Sequence, residues 1–100
     1  VNGEPSGNGT IAVRFFADLR QVFGKKQAQL PREAAPDVRQ LLEVVCDTPV
    51  RRAALFSEPG VLRREIVFLV NGRNIRFLDG LGTRLEQDDV VAIFPPVYGG

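Results

Sequence analysis

The groups able to do chemistry are few. Histidine is absent from the 100 residues, which removes the Ser-His and Cys-His nucleophile pairs and the usual zinc constellations together. The single cysteine, Cys46, cannot form an internal disulfide. On or beside a helical apolar stripe it reads as a small buried hydrophobe rather than a sulfur relay. Carboxylates are scattered, and only Asp88 and Asp89 are adjacent. Neighbours on a strand or turn point apart, so a shared carboxylate site is not expected. What remains is the end of the sequence, "VVAIFPPVYGG". Gly99 and Gly100 lack Cβ, so this end can thread a narrow channel, and no side chain shields the last carbonyl carbon. Pro95 and Pro96 fix φ at about −65° and stiffen the base, so less freedom is lost on docking. The residues from Pro95 onward, at about 3.3–3.6 Å each when extended, reach roughly 20 Å. Pro95, Pro96, Val97 and Tyr98 then read as a tether with a stiff base, ending in Gly99 and Gly100, and its tip is either frayed chain or the working part.

Such a tether needs a folded base. The length suits one domain with a modest core. Apolar residues are 44% and charged residues 25%, ordinary globular usage that argues against wholesale disorder. Lys and Arg number 13 against 12 Asp and Glu, a net charge of +1, so no basic excess marks a nucleic-acid footprint. The longest apolar run, Ile66 to Val70, is too short to cross a bilayer, and no signal peptide is recognisable. A lone cysteine fits a reducing cytoplasm.

Along the chain, residues 1–9 are breaker-rich and read as a flexible leader, 10–94 as the folded domain and 95–100 as the extended functional tail. "TIAVRFFADL" alternates, with Ile11, Val13 and Phe15 on one side and Ala12, Arg14 and Phe16 on the other, which predicts a strand. "GKK" offers a turn, and "QAQL" a second strand in a hairpin with the first. Pro36 and Asp37 open a helix whose stripe is Val38, Leu41, Leu42 and Val45. "VRRAALF" suggests a further short helix, packing Leu55 or Phe56 under the sheet, and "SEPG" breaks the chain again. "EIVFLVNGRNIRF" spells a tight hairpin, because Asn71-Gly72 tolerates the positive φ of a primed turn. "LDGLGTRLEQDD" crosses over, and "VVAIF" closes the sheet with Val91 and Ile93 on one face and Val90, Ala92 and Phe94 on the other. The expected class is α+β: a β-grasp, ubiquitin-like, with a mixed sheet of about five strands and one main helix packed across it.

"VRFFADLRQVFG", "VNGR" and "LEQDDVVAIFPP" running into "VYGG" together resemble the MoaD/ThiS family of ubiquitin-like sulfur carriers. The resemblance is closest to MoaD, the small subunit of molybdopterin synthase, whose tail reads proline-proline-valine-x-glycine-glycine. It spans Thr10 to Gly100. Departures are Gln87-Asp88-Asp89 where the family usually has Asp-Gly-Asp, Tyr98 where a small residue is common, and a long 49–65 connection. The resemblance implies that an ATP-using, MoeB-like adenylating enzyme joins Gly100 to AMP. A sulfur donor such as a persulfide sulfurtransferase then leaves a thiocarboxylate, which serves a MoaE-like catalytic subunit in molybdenum-cofactor synthesis. In that role the chain is no enzyme alone, binds no cofactor or metal, and meets neither nucleic acid nor membrane. The departures leave the acceptor open among molybdopterin, thiamine, cysteine and tungsten-cofactor routes. A ubiquitin-like modifier conjugated to lysines and a non-covalent interaction module are the alternative classes.

Alternation also turns Phe16 and Phe94 away from the helix. An exposed ring pair beside the tail is a natural docking patch, each ring worth about 1.5–3 kcal/mol when buried at an interface. Phe68 and Phe77 are candidates to extend it, although the pattern does not fix their facing. Arg14, Arg73 and Arg76 are either solvated strand faces, the commoner case, or a basic frame for the patch.

Overall fold

Alternation decides the first strand. In the computed structural model, which describes residues 9–96, β1 (Thr10–Phe15) buries Ile11, Val13 and Phe15 and exposes Thr10 and Arg14. A five-residue helix, α1 (Leu19–Phe23), follows, which the sequence reading missed. It buries Leu19 and Phe23, one turn apart, and stops at Gly24, whose φ of 74° is a left-handed C-cap. Phe23 stacks on Phe15 with ring centroids 4.4 Å apart, tying this helix to the core. β2 (Gln27–Pro31) then pairs antiparallel with β1, as the expected hairpin requires.

The main helix, α2 (Val38–Val45), begins where Asp37 caps it: its carboxylate accepts the Gln40 amide at 2.8 Å. Val38, Leu41 and Leu42 are buried and Val45 half-buried, so the stripe read from sequence is the packed face. Truncating a buried leucine such as Leu41 to alanine is the kind of change that costs about 2–5 kcal/mol. α3 (Pro49–Leu55) has Thr48 as its cap and proline in its first turn, and it buries Leu55 in the core. Beyond it β3 (Phe56–Glu58) and β4 (Val61–Leu62) form a small two-stranded sheet around Pro59-Gly60, where the sequence suggested only a break.

β5 (Val67–Val70) and β6 (Arg73–Asn74) make the predicted hairpin, with φ of 52° at Asn71 and 84° at Gly72. β6 is short because Ile75–Phe77 turns into a 3-10 helix. A second 3-10 turn, Gly80–Gly82, carries the crossover to β7 (Val90–Phe94). The main sheet runs β2-β1-β7-β5-β6, parallel between β1 and β7 and antiparallel elsewhere. The mixed five-stranded sheet of a β-grasp is therefore present, with α2 as its main helix and two shorter helices beside it.

Candidate functional site at the end of the last strand

β7 occupies the centre of the sheet, between β1 and β5. Its register sets Val67 opposite Phe94, and the amide of Phe16 donates to the Ile93 carbonyl at 3.2 Å, one residue beyond β1. Val91 and Ile93 point into the core; Val90, Ala92 and Phe94 lie on the other face. Phe16 and Phe94 meet there as a stacked pair, centroids 4.2 Å apart and planes 12° apart. The expected outward pair is thus a single aromatic platform at the exit of β7. Two guanidiniums attend it, Arg14 at 5.4 Å and Arg20 at 5.7 Å from the Phe16 ring centroid. Arg20 is held in place by its Nε donating to the Phe15 carbonyl at 3.0 Å. Sequence reasoning missed Arg20 because it belongs to α1, the helix it did not find.

The rest of that face is apolar and partly open: Val67 and Val90 are 38% and 39% exposed, and Leu69 and Ala92 are half-buried. Pro95 and Pro96, also half-buried, continue from the platform. Val97, Tyr98, Gly99 and Gly100, the outer part of the expected tether, lie outside the described residues.

Two expected extensions of the patch fail. Phe68 is 1% exposed and belongs to the core, since Ile66, Phe68 and Val70 form the inward set of that apolar run. Phe77 is 86% exposed, but it borders the same opening as Val70 and Asn71. Val70 pairs with Val91, at the far end of β7 from Phe94. Of Arg14, Arg73 and Arg76, read as solvated strand faces or as a frame, only Arg14 joins the patch. Arg73 pairs with core-facing Val70, and Arg76 donates to the Arg64 carbonyl.

At the opposite end of β7 a polar clip sets where the strand begins. Asn71 Nδ2 donates to Asp89 Oδ1 at 2.9 Å, and Asn71 Oδ1 accepts the Val90 amide at 2.9 Å. Asp89 Oδ2 also accepts the Glu86 amide at 2.8 Å. Asp88 takes φ of 71°, the left-handed conformation. This is the place where the resembled family usually has glycine, and a short polar side chain is tolerated there.

Cys46 takes no part. It is buried at the end of α2, and burial pushes its thiol up to about 11 against the opposing pull of Arg52, so it stays protonated at neutral pH. Among the described residues no cluster of three or more His, Cys, Asp or Glu could hold a metal ion. Among the described residues the site offers a platform, two cations and the root of a tail. It can position a terminus for another protein's chemistry.

A five-stranded mixed sheet with its last strand at the centre and one main helix packed on it is the β-grasp, ubiquitin-like fold. The family model described as "ThiS family" matches residues 13–100, and the chain belongs to that family of ubiquitin-like sulfur carriers. It is 37% identical over 93 residues to small archaeal modifier protein 3 of Haloferax volcanii, covering 90% of this chain and 98% of that protein. The solution structure of small archaeal modifier protein 1 from Methanosarcina acetivorans is similar with a TM-score of 0.79 and 32% identity, covering 92% of this chain and 97% of that one. A chain in the crystal structure of the BexX/CysO complex of Amycolatopsis orientalis matches with a TM-score of 0.74 and 28% identity, over 90% and 99% of the two chains.

Proposed function

We propose that the carboxylate of Gly100 is activated as an acyl-adenylate and then passed to one of two acceptors, lysine amines of target proteins or sulfur. An adenylating enzyme supplies ATP, and Gly100 displaces pyrophosphate to form the mixed anhydride with AMP. For conjugation, a lysine amine attacks the acyl carbon, AMP leaves, and a proton is released as the isopeptide bond forms. For sulfur transfer, a persulfide attacks the same carbon and expels AMP, giving an acyl disulfide. A second thiolate then cleaves the S–S bond, leaving the thiocarboxylate and a new disulfide. Both routes share the first step, so one chain can serve both.

The observation that supports this reading is the geometry at Phe94. The last strand ends at a stacked ring pair flanked by Arg14 and Arg20, continuing into Pro95 and Pro96. That arrangement gives a partner an aromatic foothold beside a stiff stem, so docking and delivery of the tip are coupled. Similarity along 90% of the chain to a modifier protein favours the lysine route. A narrower reading, service as the small subunit of molybdopterin synthase beside a MoaE-like catalytic subunit, is favoured by the order of residues from Pro95 to Gly100.

Incubation with an adenylating enzyme of the MoeB-like type, ATP and a persulfide donor is expected to raise the intact mass by the replacement of one oxygen with sulfur. With cell extract in place of the donor, proteolysis is expected to release peptides bearing a Gly100–lysine isopeptide bond. Deleting Gly100 is expected to abolish both products. If neither product forms with competent partners, the proposal fails. Thiocarboxylate without adducts, consumed only by a MoaE-like subunit, selects the narrower reading.

A further inference from the structure

β2 is an outer strand of the main sheet, and its free side has a specific hydrogen-bonding pattern. The Phe15 amide donates to the Lys26 carbonyl at 2.9 Å, and the Arg32 amide to the Gly9 carbonyl at 3.2 Å. In an antiparallel ladder such pairs alternate with non-bonded ones. Ala28 and Leu30 therefore turn their peptide groups toward β1, and Gln27 and Gln29 turn theirs outward. Pro31 has no N–H and ends the row of donors.

A groove of 160 Å³ lies between this edge and α2. Phe23 lies at its base, and Ala28, Leu30, Val44 and Val45 line it. Its size is close to the roughly 150 Å³ of an apolar cavity that accepts benzene, so it has room for one branched aliphatic side chain. Lys25 stands on its rim. Arg51 and Asp47, also on the rim, engage each other at 2.7 Å, and Arg51 donates as well to the Val22 carbonyl at 3.1 Å. Among the described residues, Lys25 and Lys26 have no carboxylate within ion-pair distance.

We propose that this edge and groove bind an extended peptide of a partner protein, aliphatic in the middle and acidic at one flank. Its backbone adds a strand by pairing with Gln27 and Gln29, one aliphatic side chain fills the groove, and its acidic residues meet Lys25 and Lys26. The groove lies on the α2 side of the sheet, whereas Phe16 and Phe94 lie on the other, so a peptide seated here leaves the tail exit uncovered. The inference does not depend on activation of Gly100.

The test is a titration of the full chain, followed by amide NMR shifts, with a short synthetic peptide of valine and isoleucine closed by aspartates. Saturable shifts are expected at Gln27, Gln29 and Val44, and not at Phe94. The double charge reversal Lys25→Glu/Lys26→Glu, on an exposed turn, is expected to weaken binding by about tenfold or more. Gln29→Pro removes one outward donor while leaving the β1 ladder intact and is expected to weaken binding as strongly. The proposal is overturned if no saturable shift occurs, if the shifts fall on the Phe94 face, or if the same peptide closed by lysines binds as well. Concentration-dependent self-association through these same amides, unaffected by peptide, would also overturn it.

Discussion

Replacing Asn71 separates two things its side chain and backbone do at once. The side chain makes two solvent-facing hydrogen bonds, to Asp89 Oδ1 and from the Val90 amide. Each is worth about 0.5–1.5 kcal/mol, and exposure argues for the lower part of that range, so their joint loss should cost about 1–2 kcal/mol. The backbone sits at φ of 52°, where glycine is at ease and alanine is less stable than glycine by about 1 kcal/mol. In Asn71→Gly the added freedom of the unfolded chain is offset by ease at positive φ, leaving the bond loss of about 1–2 kcal/mol. Asn71→Ala should lose about 2–3 kcal/mol, the sum of both effects. Urea unfolding followed by circular dichroism would read both values, with the slope on denaturant unchanged from the parent. Equal stability of the two variants, or values for both within about 0.3 kcal/mol of the parent, would refute the reasoning.

The Phe16–Phe94 stack should give a coupling of about 0.5–1.5 kcal/mol in a double-mutant cycle with leucine at each position, measured by denaturant unfolding; strict additivity would remove the platform as an energetic unit. Burial raises the Cys46 pKa from 9.0 to about 11, so its contribution to stability is intact below pH 9 and lost as pH rises toward 11. Cys46→Ala should therefore show less alkaline destabilisation over that window than the parent in thermal melts. Asp47, paired with Arg51 at 2.7 Å, has its carboxyl held below the usual carboxylate value chiefly by that hydrogen bond. The stability difference between the parent and Asp47→Asn should be present at neutral pH and shrink as pH falls through the lowered pKa; a difference that persists at acid pH would contradict the assignment.

Elements with a long period or a strong turn signal were legible in the sequence. Val38, Leu41 and Leu42 repeat at helical spacing, Ile11, Val13 and Phe15 at strand spacing, and Asn71-Gly72 permits the required positive φ. What escaped was short or two-sided. α1 offers only Leu19 and Phe23 as a repeat, too little to separate from a loop, although Gly24 just beyond them is a helix-stop signal. β3 and β4 have three and two residues, below any readable period. The run from Ile66 to Val70 is apolar on both faces, so alternation could not tell that Phe68 points inward. For the site, Phe16 and Phe94 were found by parity, whereas their contact needed the parallel pairing of β1 with β7 and Arg20 needed the helix α1. Asn71 was read as a turn residue, and its bond to Asp89 spans a sequence separation that no local pattern encodes.

The place of β7 between β1 and β5 has a consequence for how the molecule folds. Until that strand inserts, the first hairpin and the β5–β6 hairpin have no seam, and two halves of the sheet wait for the same five residues, Val90–Phe94. Phe94 meets Phe16 only once β7 lies beside β1, so the aromatic platform and the sheet are completed in one event.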